Sequence, residues 1–237
     1  MILTTINADK AYMQAAIGLA QRGLGQTWPN PSVGCVIVLK DIVVGRGWTQ
    51  QGGRPHAETV ALEHSGDAAR GATVYVTLEP CSHKGATEPC AKALIDAGVA
   101  RVVVGLEDPD PRVNGRGIKM LREAGINVSV GVCASDAERV TSGFLKRNTD
   151  HRPQITLKLA TTLDGRIATK SGDSEWITGD AARRSGHMLR ANHDAILVGS
   201  LTALKDNPSL TCRLPGMFNR SPLRIVVDGR MRLPLTH

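Results

Sequence analysis

The sequence predicts a layered α/β protein made of one complete unit followed by the start of a second. Three observations carry this. β-rich runs alternate with helical periodicities from about residue 33 to residue 147. The pattern restarts after His151-Arg152-Pro153, dividing the chain into 1–150 and 151–237. A set of metal-type donors falls at helix beginnings and just past a strand end, where open α/β sheets place ligand sites.

Met13, Ala16, Ile17, Ala20 and Leu24 recur at helical spacing after a possible cap at Asn7 or Asp9, and Gly23 and Gly25 end the run. Val33 to Leu39 and Ile42 to Gly47 read as strands joined by a Lys40-Asp41 turn. The Gly/Pro-rich segment Gln51 to Pro55 delivers His56 at the start of a helix running to about His64. Strand Thr73 to Leu78 ends at Glu79-Pro80-Cys81, and helix Cys90 to Ala97 stops at Gly98. Strand Arg101 to Gly105, helix Gly117 to Ala124, strand Asn127 to Gly131 and helix Ser135 to Arg147 complete a sheet expected to be largely parallel beyond its hairpin. In the second unit, Ile155 to Ala160 reads as a strand, Leu163 to Arg166 as a turn and Ser171 to Ile177 as a polar loop. Thr178 reads as the cap of a helix to Asn192, with strands at Ala195 to Gly199 and Leu223 to Val227. No G-x-G-x-x-G follows a strand, so a standard dinucleotide fold is not indicated.

Composition narrows the function. With 41% hydrophobic and 3% aromatic residues, the chain has no apolar stretch near the ~20 residues of a membrane helix. Met1 to Asp9 shows no secretory signal, which points to a reducing, cytoplasmic setting where structural disulfides are unlikely. The net charge of +7 sits mainly in residues 151–237, with 13 Lys/Arg against 7 Asp/Glu. Arg183, Arg184, Arg190, Arg213, Arg220 and Arg224 could meet nucleic acid or phosphorylated small molecules. Base-stacking aromatics are scarce, which favours the small molecules.

The chemistry concentrates in His56-Ala57-Glu58, Pro80-Cys81 and Cys90. One imidazole and two thiols suit zinc and leave its fourth position open to water, the arrangement of a hydrolytic site. Glu58 is free to carry protons, and the H-x-E…P-C pattern completed by a later cysteine is that of zinc deaminases. Cys35, Cys133 and Cys212 read as inert thiols. His83 is an unsuitable fourth ligand because Cys81-Ser82-His83 is too cramped.

These residues resemble the RibD family of bifunctional riboflavin-biosynthesis proteins. The resemblance rests on Asn30-Pro31-Ser32-Val33-Gly34, Pro55-His56-Ala57-Glu58, Thr77 to His83, Asp108-Pro109 and Gly115-Arg116-Gly117. In the second half it rests on Lys158-Leu159-Ala160, Leu163-Asp164-Gly165-Arg166, Trp176-Ile177-Thr178 and Asp206 to Thr211. The eight-residue gap between Cys81 and Cys90 agrees, since nucleic-acid deaminases usually close with C-x-x-C.

The resemblance implies a cytidine-deaminase-like α/β/α domain followed by the first part of a dihydrofolate-reductase-like α/β domain. It implies zinc on His56, Cys81 and Cys90, Glu58 as acid/base, and Asn30 and His83 holding the substrate, a diaminopyrimidinone ribose phosphate. It further implies NADPH at Ala160, Trp176, Thr202 and Asp206, with substrate at Ser174, Arg190, Leu210 and Arg213. Without the family, Asn30 reads equally as a turn residue and His83 as a loop histidine. Arg190 then reads as a solvated helix-face charge and Trp176 as a core residue. A homo-oligomer through the reductase domain is implied, with no nucleic-acid or membrane partner.

The chain departs from the family at Thr49, where many members have histidine. It departs again at Ala86 and Glu88, where a basic residue and a proline are usual; Lys84 could compensate for the first. The family's reductase domain also continues past Leu235-Thr236-His237, so deaminase activity is expected to survive better than reductase activity. A nucleic-acid or nucleoside deaminase and an inactive zinc- or nucleotide-binding module are the alternative readings.

Overall fold

A computed structural model describes residues 2–85, 87–234 and 236. The chain divides into two compact units, Met1–Gln154 and Ile155–His237.

The first unit is a five-stranded sheet with helices on both faces. Helix α1 (Ile2–Ala20) is followed by β1 (Gly34–Leu39), β2 (Ile42–Trp48), α2 (Ala57–Ser65), β3 (Thr73–Val76) and α3 (Cys90–Asp96). Then come β4 (Arg101–Val104), α4 (Arg116–Glu123), β5 (Asn127–Val130) and α5 (Ala134–Asp150). The strand order is β2-β1-β3-β4-β5. β1 pairs antiparallel with both β2 and β3, whereas β3–β4 and β4–β5 are parallel. Positive φ at Lys40 and Asp41 makes the tight hairpin turn.

The inner strands β1, β3 and β4 are largely apolar because both of their faces are buried, whereas the edge strands β2 and β5 carry polar and exposed positions. Cys35, Ile37, Val74, Val76, Val102 and Val104 pack with Ala61 of α2, Leu94 of α3 and Leu121 of α4. The alternate residues Val36, Val38, Tyr75 and Val103 pack with Met13, Ala16 and Ile17 of α1 and Ala137 of α5. α1 begins earlier than the expected cap at Asn7 or Asp9. Asp9 is buried mid-helix instead, because its carboxylate is held by both guanidinium nitrogens of Arg101 at 2.7 and 2.8 Å and by the Tyr75 hydroxyl at 2.9 Å.

The second unit contains α6 (Asp180–Ala191), β6 (Ala195–Gly199), α7 (Ser200–Asp206) and β7 (Leu223–Val227), with β6 and β7 parallel. The expected strand Ile155 to Ala160 is not one. Its backbone makes no ladder with any strand among the described residues, and Ile155, Leu157 and Leu159 are exposed. Apolar alternation alone does not make a strand without a neighbour to accept its hydrogen bonds. Gly179, in extended backbone, and not Thr178 precedes α6, and the Thr178 carbonyl accepts from Arg183 Nη1 at 2.7 Å. α7 was not expected from the sequence. Among the described residues, no helix is long and apolar enough to cross a membrane.

Candidate active site

Three elements of the first unit bring the donors together. His56 immediately precedes α2, and Glu58 lies in that helix's first turn. α2 sits directly on β2 because Gly45 and Gly47 have no side chains. A Cβ at Gly47 would overlap the Ala57 carbonyl, one residue from Glu58. Cys81 follows the end of β3, and Cys90 opens α3.

His56 Nδ1 lies 3.8 Å from Cys81 Sγ and 3.3 Å from Cys90 Sγ, and all three donor atoms lie within 4.8 Å of one another. With zinc–sulfur and zinc–nitrogen bonds of about 2.3 and 2.0 Å, a tetrahedral edge between N and S is about 3.5 Å, so these residues fit zinc. His83 is not part of this cluster. The Cys90 amide donates to Cys81 Sγ at 3.3 Å. A hydrogen bond from Cys90, opposed by burial and reinforced by His56, holds the Cys81 thiol down at about 4. Cys90, the donor of that pair and buried, is pushed up. Glu58 is buried, and burial raises its carboxyl to about 7 despite the opposing charge of His56. A carboxyl there can both accept and return a proton near neutral pH.

Asn30 reaches the same place. Its Nδ2 donates to the Gly53 carbonyl at 2.8 Å and lies 3.4 Å from His56 Nε2. His83 is half-buried, and its Nδ1 has no hydrogen-bond partner. Thr49 has a structural task, accepting the Val33 amide on its Oγ1 at 3.0 Å at the start of β1. Ala86 lies outside the described residues. Lys84 is tied to Glu88 at 2.5 Å.

Sequence reasoning missed the clasp behind Cys81. Glu79 is buried and accepts four backbone amides. Gly117 and Ile118 donate to Oε1 at 2.9 and 3.1 Å, and Gly115 and Asp108 donate to Oε2 at 2.9 and 3.2 Å. It serves as the N-terminal cap of α4, which Gly115 cannot provide from a side chain. A Cβ at Gly117 would strike the Pro80 carbonyl, so the segment leading to Cys81 is seated on this helix start. Asp108, Asp110 and Arg112 continue the clasp, with Arg112 paired to Asp110 at 2.6 Å and the Arg112 carbonyl accepting from Ser82 Oγ at 3.2 Å. A lone acid at the end of an apolar strand, with a glycine-rich segment downstream, was the available signal.

In the second unit Arg190 and Arg213 come together around His187, and Leu210 is buried. Arg190 Nη1 donates to the Thr211 carbonyl at 3.2 Å and lies 3.1 Å from His187 Nδ1. The Arg213 amide also donates to that nitrogen at 3.2 Å. His187 was not singled out from the sequence. Burial and the two arginines lower its pKa, favouring the neutral ring. Arg190 is therefore not a simply solvated charge. Trp176 is 69% exposed, contrary to the core reading, with the Arg183 guanidinium 4.5 Å from its ring. Thr202 and Asp206 are exposed four residues apart on α7, Ala160 is half-buried, and Ser174 is exposed in the loop before α6. An exposed indole and the polar side chains of Thr202 and Asp206 one turn apart are residue types that a nucleotide would use, and Arg190 and Arg213 are types that a phosphate would use.

A model of the cytidine and deoxycytidylate deaminase zinc-binding region matches residues 6–106, and a model of the RibD C-terminal domain matches residues 153–237. The riboflavin biosynthesis protein RibD of Escherichia coli K12 is 51% identical over 97% of the chain, and that of Aquifex aeolicus is 47% identical over 96%. Acinetobacter baumannii RibD superposes with a TM-score of 0.89 at 46% identity, covering 98% of this chain and 66% of that one. A Thermotoga maritima diaminohydroxyphosphoribosylaminopyrimidine deaminase/5-amino-6-(5-phosphoribosylamino)uracil reductase also gives 0.89, at 43% identity, covering 94% and 64%. The chain spans 65% and 64% of the length of the two curated relatives.

Proposed function

The chain belongs to the RibD family, and from that premise we propose that it deaminates a phosphorylated pyrimidine in riboflavin biosynthesis. The substrate is 2,5-diamino-6-(5-phosphoribosylamino)pyrimidin-4-one, and the products are its uracil counterpart and ammonia. The observation that carries this reading is the cluster of His56 Nδ1, Cys81 Sγ and Cys90 Sγ within 4.8 Å, with the buried Glu58 two residues from His56. His56, Cys81 and Cys90 would hold a zinc ion, which would supply a bound water with its pKa lowered to about 7. Glu58 takes a proton from the water and delivers it to the leaving amino group; its raised pKa suits both duties. Asn30 and His83 hold the pyrimidine or its sugar.

The same reading assigns residues 1–150 to the deaminase and 151–237 to the N-terminal part of an NADPH-dependent reductase. A bound NADPH would supply the hydride for reduction of the ribosyl group to ribityl. Ala160, Trp176, Thr202 and Asp206 hold the nucleotide, while Ser174, Arg190, Leu210 and Arg213 hold the substrate. The charges of Arg190 and Arg213 both act on His187, and burial together with Arg213 holds the Arg190 pKa down, so two cations lie near one another, which supports a phosphate position. The enzyme works in the cytoplasm on small molecules and assembles as a homo-oligomer through the second unit.

The test is ammonia release by zinc-loaded protein, followed by NADPH addition. Glu58→Gln is expected to keep zinc and lose about 10²- to 10⁴-fold in rate. Full zinc occupancy with no ammonia release from the unsubstituted protein overturns the reading.

A further inference from the structure

The ligand-bearing segments around the candidate zinc site carry two cations, Arg54 on the segment leading to His56 and Lys84 on the segment between Cys81 and Cys90. Lys84 is neutralised by Glu88 at 2.5 Å. Arg54 has no carboxylate partner among the described residues. Its Nη1 donates to Thr87 Oγ1 at 2.9 Å, a bond that joins the segment of His56 to the segment of Cys90 across the mouth of the site. Gly85 lies under the other end of the guanidinium, since a Cβ there would come 2.9 Å from Arg54 Nη2.

We infer that Arg54 grips the substrate's phosphate and sets the site's preference for phosphorylated over unphosphorylated pyrimidine ribosides. This rests on the deaminase reading of the same site. A ribose separates the phosphate from the reacting ring, so when the ring lies against Glu58 and Asn30 the phosphate reaches the rim and not the floor. Arg54 is exposed at that rim, already oriented by Thr87, and a guanidinium offers five forked donors of which Thr87 takes one. Two acceptor oxygens of a phosphate match the remaining fork. The bare Gly85 leaves the guanidinium room beside the loop.

Two measurements test this on the full chain. Steady-state deamination compares the phosphorylated substrate with its dephosphorylated riboside, using Arg54→Ala and Arg54→Lys. Arg54→Ala is expected to raise KM for the phosphorylated substrate about tenfold or more. Its kcat should hold and its KM for the riboside should not move, with partial recovery in Arg54→Lys. Substrate binding is also followed without turnover, in cobalt-loaded Glu58→Gln protein with and without Arg54→Ala, by the visible absorption of cobalt at His56, Cys81 and Cys90. Loss of affinity for the phosphorylated substrate alone supports Arg54 even if the unsubstituted protein releases no ammonia, an outcome that sinks only the deaminase reading. Equal affinities, or equal losses for phosphorylated and unphosphorylated pyrimidines, overturn the inference.

Discussion

Glu79→Gln is the substitution that most directly tests how the first unit positions Cys81. The change preserves volume and removes one charge-bearing oxygen. The amide oxygen still accepts two of the four backbone donors, either Gly117 and Ile118 or Gly115 and Asp108. The other two amides then face an NH₂ group, donor against donor, in a buried place that admits no alternative partner. Each stranded donor costs about 1–3 kcal/mol, so two of them, with some relaxation of the Asp108 segment, cost about 3 kcal/mol. Urea unfolding of the zinc-loaded protein measures this loss, and amide exchange locates it. Exchange should accelerate at the pair of amides left facing the NH₂ group, either Gly117 and Ile118 or Gly115 and Asp108, because the start of α4 loses half of its cap. Zinc affinity should fall with it, since Glu79 is two residues from Cys81 and its main chain is docked on that turn. Glu79→Asp, one methylene shorter, should lose the far pair of bonds and also destabilise. A loss below about 1 kcal/mol in Glu79→Gln, with unchanged exchange in the first turn of α4, would refute the capping argument.

Two further predictions concern pH. Burial raises the Asp9 pKa, but Arg101 and Tyr75 more than reverse this and hold it below the ordinary 3.8. Its stabilisation is therefore complete above pH about 4 and lost as pH falls through the lower folded value, and Asp9→Asn, measured by urea unfolding, should cost about 2 kcal/mol at pH 7, less than a fully buried pair because Arg101 is partly exposed. Burial, with the neighbouring Asp110 and Glu79, raises Asp108 from 3.8 to about 6. Its contribution is present in full below pH about 4 and lost as pH rises through 6, so Asp108→Asn should gain on the unsubstituted protein by up to about 3 kcal/mol between pH 4 and 7.5 in paired urea titrations.

The contrast between the two units explains what could be read from the sequence. In the first, every strand has a neighbour, so the β-rich runs read from the sequence all form strands, and the fold then sends Cys35 and Ile37 to one sheet face and Val36 and Val38 to the other. The zinc donors were legible because His56, Cys81 and Cys90 each lie next to an element whose start or end is local. In the second, Ile155 to Ala160 alternates apolar and polar residues and makes no ladder among the described residues, since pairing depends on a partner that periodicity cannot specify. The clasp of Glu79 was hidden for a related reason: its four donors lie 29 to 39 residues downstream and are main-chain amides, which carry no side-chain identity. Arg54 was hidden differently. Its partner Thr87 is as anonymous as any loop threonine, and only the folded chain brings it 2.9 Å from the guanidinium. Contacts of this kind, between distant loops and through backbone groups, hold the segments that carry the donor cluster, although the donor residue types are plain from the sequence.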